Sequence, residues 1–162
     1  MARLSVEHRF EAPLAAVEAA LIDRAFYEQL RLPDVAAPEV VSSGVDGTTT
    51  RLELRMEYTG QLDPVGQRVV GGRQIAWAQV IEIDTSAHRG TLSVVLDGQR
   101  ERVQCNAAMT FEDHDDTTVR LLRGDLVIKV PLVGGLAERR VLPGVLRRLD
   151  LEADALRAWL AL

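Results

Sequence analysis

The sequence predicts an α+β fold: an antiparallel sheet of seven strands, two short helices after the first strand, and one long C-terminal helix. Three observations carry this. Apolar and polar residues alternate with period two in segment after segment from Arg3 to Val130. Tight-turn signals such as Asp46-Gly47 and Asp97-Gly98 separate those segments. Over the last quarter of the chain the period changes, and apolar residues recur at three and four. A length of 162 residues with 47% apolar side chains suits one domain, 1–162, with a substantial core.

The first strand sets Leu4, Val6, His8 and Phe10 against Arg3, Ser5, Glu7 and Arg9. Pro13 suits the first turn of a helix, whose stripe is Leu14, Val17 and Leu21, with Glu18 beside it and expected to face water. Asp23 is placed to cap a second helix, Arg24 to Leu30, ended by Pro33. A hairpin follows, Glu39 to Val45 and Thr48 to Tyr58, turning at Asp46-Gly47. Its second arm alternates cleanly, with Leu52, Leu54, Met56 and Tyr58 on one face. Asp63-Pro64 opens a turn of helix to Val70, and Gly71-Gly72 stops it.

Four strands come next. Gln74 to Asp84 presents Ile75, Trp77, Gln79, Ile81 and Ile83 on one face, and Arg89 to Leu96 presents Leu92, Val94 and Leu96. Glu101 to Glu112 turns Val103, Cys105, Ala107, Met109 and Phe111 inward. Thr117 to Val130 loses its alternation near Gly124, where a bulge is expected. Then Leu142, Val145, Leu146, Leu149, Ala153, Leu156 and Leu160 form one amphipathic helix, with a kink or break expected at Pro143-Gly144.

Composition excludes several classes. A net charge of −5 argues against a nucleic-acid or anionic-membrane binder. No apolar run reaches the roughly 18 residues of a membrane helix, and the N-terminus has no secretory h-region. The lone thiol, Cys105, forms no internal disulfide and suits a reducing cytoplasm. The basic residues are 18 arginines and one lysine, Lys129, which lacks a preceding glycine loop. HExxH, GxSxG, GxGxxG and Walker A patterns are missing. Nothing calls for a metal or a cofactor.

Several segments carry a resemblance that spans essentially the whole chain. They are Leu32-Pro33-Asp34-Val35, Ala37-Pro38-Glu39-Val40, Gly47-Thr48, Leu62-Asp63-Pro64, Trp77, Lys129 through Gly135 with Glu138, and Glu152 through Leu160. Together they resemble the actinobacterial DUF2505 family, of unknown function, within the START-like superfamily. That superfamily includes lipid-transfer domains, polyketide cyclases and birch-pollen-allergen-like proteins. The resemblance implies a helix-grip fold, with a curved sheet around the C-terminal helix and a cavity between them. It implies no catalytic residues.

For such a cavity the alternation nominates Leu54, Met56, Tyr58, Trp77, Gln79, Leu92, Val94, Cys105, Ala107, Met109, Leu142, Leu146 and Leu149 as ligand-binding residues. The set is mostly apolar, with Gln79, Tyr58 and Cys105 as its polar or soft members, and it suits a hydrophobic small molecule. The same residues also fit a plain core. Ala107, smaller than Cys105 and Met109, is expected to leave room beneath the helix. His8 is a candidate general base, or a structural histidine. Glu112 through Asp116 has carboxylates for a cation but reads as a solvated turn. Arg123 and Asp125 are candidates for an ion pair near the mouth.

Three functions stand open. The first is binding of a lipid or polyketide-like compound. The second is a cyclase or dehydratase using His8, Tyr58 or Gln79. The third is a protein-interaction module docking through Arg139, Arg140, Arg147 and Arg148.

Overall fold

The computed structural model describes residues 1–162, apart from the side chains at 69 and 70. The elements run β1 (Ala2–Phe10), α1 (Leu14–Leu21), α2 (Arg24–Gln29), β2 (Glu39–Asp46), β3 (Thr49–Glu57) and α3 (Pro64–Val70). Then come β4 (Ala76–Asp84), β5 (Arg89–Leu96), β6 (Val103–Asp113), β7 (Thr118–Ile128) and α4 (Gly134–Leu160). The strands form one antiparallel sheet in the order β1-β7-β6-β5-β4-β3-β2. The short helices α1 and α2 therefore carry the chain from one sheet edge to the other. This is a helix-grip fold, an antiparallel sheet with a long C-terminal helix packed across it.

Local chemistry sets the element ends. The Asp23 carboxylate accepts from the Ala25 N–H at the start of α2, and that of Asp63 from the Gly66 N–H at the start of α3. Gly71 closes α3 in the left-handed conformation at φ 63°. The hairpin turn falls on Gly47-Thr48, one residue later than the sequence signal, because Gly47 takes the positive φ of 62°.

No bulge forms at Gly124: the β7 register with β6 and β1 runs through it unbroken. The irregularity lies instead in edge strand β2, between Val40 and Ser42. Gly124 answers a different need. A Cβ there would lie 1.8 Å from the Asn106 carbonyl oxygen, so the two backbones approach as only glycine permits. Gly90 does the same for β5 against Glu82 of β4.

Helix α4 runs 27 residues without interruption through Pro143. Pro143 removes one N–H, but Pro143, Gly144 and Arg139 are all exposed, so the Arg139 carbonyl it would have bonded can reach water. The helix start is pinned to the sheet by Glu138, whose buried carboxylate accepts from the Ile128 N–H at 2.9 Å.

Glu18 does not face water. It is buried on α1, and Oε1 accepts from Nδ1 of His88 at 2.7 Å across the β4–β5 turn. His88 sits in that turn at φ 54°. Arg123 and Asp125 form no ion pair. On an extended strand, residues two apart on the outer face point into solvent side by side.

Candidate functional site

A cavity of about 530 Å³ opens between the sheet and the N-terminal half of α4. Its sheet wall is Trp77 on β4, Val94 and Leu96 on β5, Val103 and Cys105 on β6, and Leu126 and Ile128 on β7. Its roof is Val141, Gly144, Val145 and Leu151 of α4. Residues 32–35, Tyr58, Gln61, Leu62 and the start of α3 close one side. Charged groups at the rim are Asp34, Asp63, Arg140 and Arg147, all exposed, and Asp63 pairs with Arg140 at 3.6 Å.

One charged side chain on this wall is sequestered. Arg148 is 13% exposed, and its guanidinium stacks over the Trp77 ring at 5.2 Å from the centroid. Nη1 donates to Gln79 Oε1 at 2.6 Å and lies 3.7 Å from the Met56 sulfur. The Gln79 amide passes the contact on, donating from Nε2 to Glu152 Oε1 at 3.3 Å. Arg148 itself stands 3.9 Å from that carboxylate, a loose pair one helical turn apart. Burial pushes the Cys105 thiol up, against the opposing field of Arg148, so the thiol stays protonated.

A second polar group lies deeper, under the C-terminal half of α4. Arg120 of β7 is buried, and its Nη2 donates to Nδ1 of His8 at 2.8 Å. Because arginine only donates, His8 carries its proton on Nε2, which donates to Asp150 Oδ1 at 2.8 Å. Burial first, and then Arg120, hold the His8 imidazole below its ordinary pKa, while Asp150 pulls the other way. A void of about 20 Å³ lies among Arg120, Gln79, Tyr27 and Glu152, room for a single water. The Arg120 Nε has no protein partner.

The nominated residues fall into separate groups. Tyr58, Trp77, Val94 and Cys105 line the large cavity. Gln79, Leu92, Met109 and Leu149 line the small void. Leu54, Met56 and Ala107 are buried outside both. Leu142 and Leu146 are half-buried and pack on the core. Ala107 is 5% exposed and borders neither space, so its small side chain opens no part of the cavity.

His8, Tyr58 and Gln79 do not converge. His8 is held by Arg120 and Asp150 away from the cavity, Tyr58 donates to the Gln61 carbonyl, and Gln79 bridges Arg148 and Glu152. The arginines of α4 do not share one outer face, since Arg148 turns inward and Arg140 engages Asp63. Residues 112–116 are exposed and run from the end of β6 into the β6–β7 turn, and among the described residues no His, Cys, Asp and Glu group into a metal site. No described helix is long and apolar enough to cross a membrane. Sequence reasoning passed over Arg120 and Glu152 as site residues and set Arg148 on an outer docking face, though Arg120 shares the inward phase of Thr118, Leu122 and Leu126.

Comparison with known proteins agrees with this architecture. Residues 5–160 match the model of a protein family of unknown function, DUF2505. The structure is similar to that of TTHA0849 from Thermus thermophilus, at 16% identity and a TM-score of 0.68, covering 99% of this chain and 97% of that one. It is also similar to a START superfamily protein from Mycobacterium smegmatis, at 15% identity and a TM-score of 0.56, covering 98% and 97%. A point mutant of norcoclaurine synthase from Thalictrum flavum, in complex with a transition-state analogue, aligns at 13% identity and a TM-score of 0.63, covering 99% and 94%. No protein of curated function matches the sequence. At these identities the structural likeness shows the fold.

Proposed function

The chain belongs to the DUF2505 family, and we propose that it binds a hydrophobic small molecule, a lipid or polyketide-like compound of the cytoplasm, in the cavity beneath α4. The observation that carries this reading is the size and chemistry of that cavity. Protein interiors are close-packed, with few voids larger than a water. Here about 530 Å³ stays open beneath one half of a helix, walled mainly by apolar side chains. That is within the roughly 300–1,000 Å³ of pockets that take drug-sized ligands, oriented by a few polar groups. No observation favours the acid–base or protein-docking reading over it.

Titration with the neutral fluorophore N-phenyl-1-naphthylamine tests the proposal, together with native mass spectrometry of protein purified from its own host. The expected result is saturable fluorescence enhancement and a co-purifying apolar mass. Val94→Trp, which puts an indole into the cavity, is expected to abolish both. A wild-type protein that never enhances the probe and always gives an empty spectrum would overturn the reading.

A further inference from the structure

The cavity wall holds one largely sequestered cation whose binding edge has no partner among the described residues, and this points to the class of ligand. Arg148 has five N–H groups on a rigid planar fork. Its contacts to Gln79, Met56 and Glu152 all use Nη1. Among the described residues nothing accepts from Nε or Nη2, the edge that pairs side by side with a carboxylate. The guanidinium is also fixed in place, stacked on Trp77 and clamped by the Gln79 oxygen.

Charge balance leads the same way. The interior beneath α4 holds two buried or nearly buried guanidiniums, Arg120 and Arg148, against one available buried carboxylate, Glu152; the other buried carboxylate of α4, Glu138, is taken up by the Met1 ammonium and the Ile128 N–H. His8, beside Arg120, is kept neutral by burial and by that arginine. One positive charge is therefore left without a buried counterion. The rim carboxylates do not supply it: Asp34 and Asp63 are exposed, and Asp63 is engaged by Arg140 and the α3 N-terminus. A largely sequestered cation with a free fork is stabilised by an anion that brings its own two oxygens.

We propose that the Nε/Nη2 edge of Arg148 receives the carboxylate of an apolar monocarboxylic acid, whose hydrocarbon body fills the space between Trp77, Val94, Cys105 and Val145. This rests on the reading of the cavity as a ligand site. A monoanion matches the single uncompensated charge, and the apolar wall takes the rest of the molecule.

The experiment is displacement of N-phenyl-1-naphthylamine by dodecanoate and by dodecan-1-ol, at pH 8 and below their aggregation limits. The wild-type protein is expected to bind the acid at least about tenfold more tightly than the alcohol. Arg148→Met is expected to bring the ratio of the two affinities to about one, and Arg148→Lys, which keeps the charge without the fork, to an intermediate value. Equal affinities in the wild-type protein would overturn the proposal. So would a ratio left intact in Arg148→Met, since a merely structural role lowers both affinities in parallel. If Arg148→Met does not fold, the wild-type ratio and Arg148→Lys decide. Failure of the fluorophore, the acid and the alcohol alike to bind the wild-type protein would instead sink the cavity reading, and the carboxylate assignment with it.

Discussion

The two halves of α4 carry similar apolar spacing and meet different surroundings. In the C-terminal half Leu149, Ala153 and Leu156 are 2%, 1% and 1% exposed. They lie over a core completed by Leu14, Val17 and Leu21 of α1 and by Phe26 and Tyr27 of α2, where Trp159 meets the Phe26 ring edge-on at 5.8 Å. In the N-terminal half Val141, Leu142, Val145 and Leu146 stay half-buried, and only the loops and seven-residue α3 close the side. The comparison teaches that helix amphipathicity records which face turns inward and says nothing about whether that face meets atoms or space.

The sharpest way to break the comparison is a matched truncation. Leu149→Ala removes a fully buried side chain and is expected to cost about 2–5 kcal/mol, read as loss of thermal or urea stability. Val145→Ala trims a residue that already borders the cavity, and a loss under about 1 kcal/mol is expected. Equal losses at the two positions would mean that both halves are packed alike.

Insertion makes the converse test. Ala107→Trp must overpack a position that is 5% exposed and borders no cavity, and a loss of about 1–3 kcal/mol or more is expected. Val94→Trp, one strand away, directs its indole into about 530 Å³ of open space, and a near-normal melting temperature is expected. If Val94→Trp were the more damaging of the two, the space beneath the N-terminal half would not be real.

These pairs also mark how far the residues alone lead. The succession of strands, most turns and the C-terminal helix were legible because period two, period 3.6 and the Asp-Gly and Asp-Pro signals are local properties. Buried charge was the harder matter. Glu18 stands at the helical spacing of Leu14, Val17 and Leu21, and Arg148 and Glu152, one turn apart, flank the stripe of Val145, Leu149 and Ala153; their charge, not their position, argued for solvent. What overruled that was pairing with distant residues: His88 for Glu18, Gln79 for Arg148 and Glu152. The extent of the cavity was not legible. Met56 and Tyr58 share one face of β3 and its extension, yet the first is core and the second lines the opening, because the crossing point of α4 decides.

A pH measurement sharpens the description of the solid half. His8 faces Arg120 from β7 and both Asp150 and Arg157 from α4. Its imidazole titrates below the ordinary 6.5, chiefly through burial and then through Arg120. As pH falls past 6.5 the unfolded chain therefore binds a proton before the native protein does. The stability that neutral His8 contributes is complete above that pH and is lost as pH falls through the lower native value. His8→Gln retains a donor for Asp150 and an acceptor for Arg120 but does not titrate. The expected outcome is a flatter melting-temperature profile between about pH 7 and 5 than in the wild-type protein; an unchanged profile would show that other groups govern the acid limb.

The smallest effect belongs to the open half, at Gly144. Glycine in a helix interior is less favourable than alanine by about 0.8–1.0 kcal/mol, because it gives up more backbone freedom on folding. Gly144 takes no positive φ, and a Cβ built on it meets no atom within 4 Å, so alanine needs neither strain nor displacement there. Gly144→Ala is expected to stabilise the protein by about 0.5–1 kcal/mol, with apolar-probe binding retained, since one methyl group takes little of the cavity. Gly144→Phe keeps the gain in helix propensity only in part and carries a ring toward the same opening, so probe binding is expected to fall while the fold persists. At Ala153, on the same helix but 1% exposed, Phe is expected to destabilise by overpacking. A protein that accepts Phe equally at 144 and 153, or refuses it equally, has no difference between its two halves for the cavity to explain.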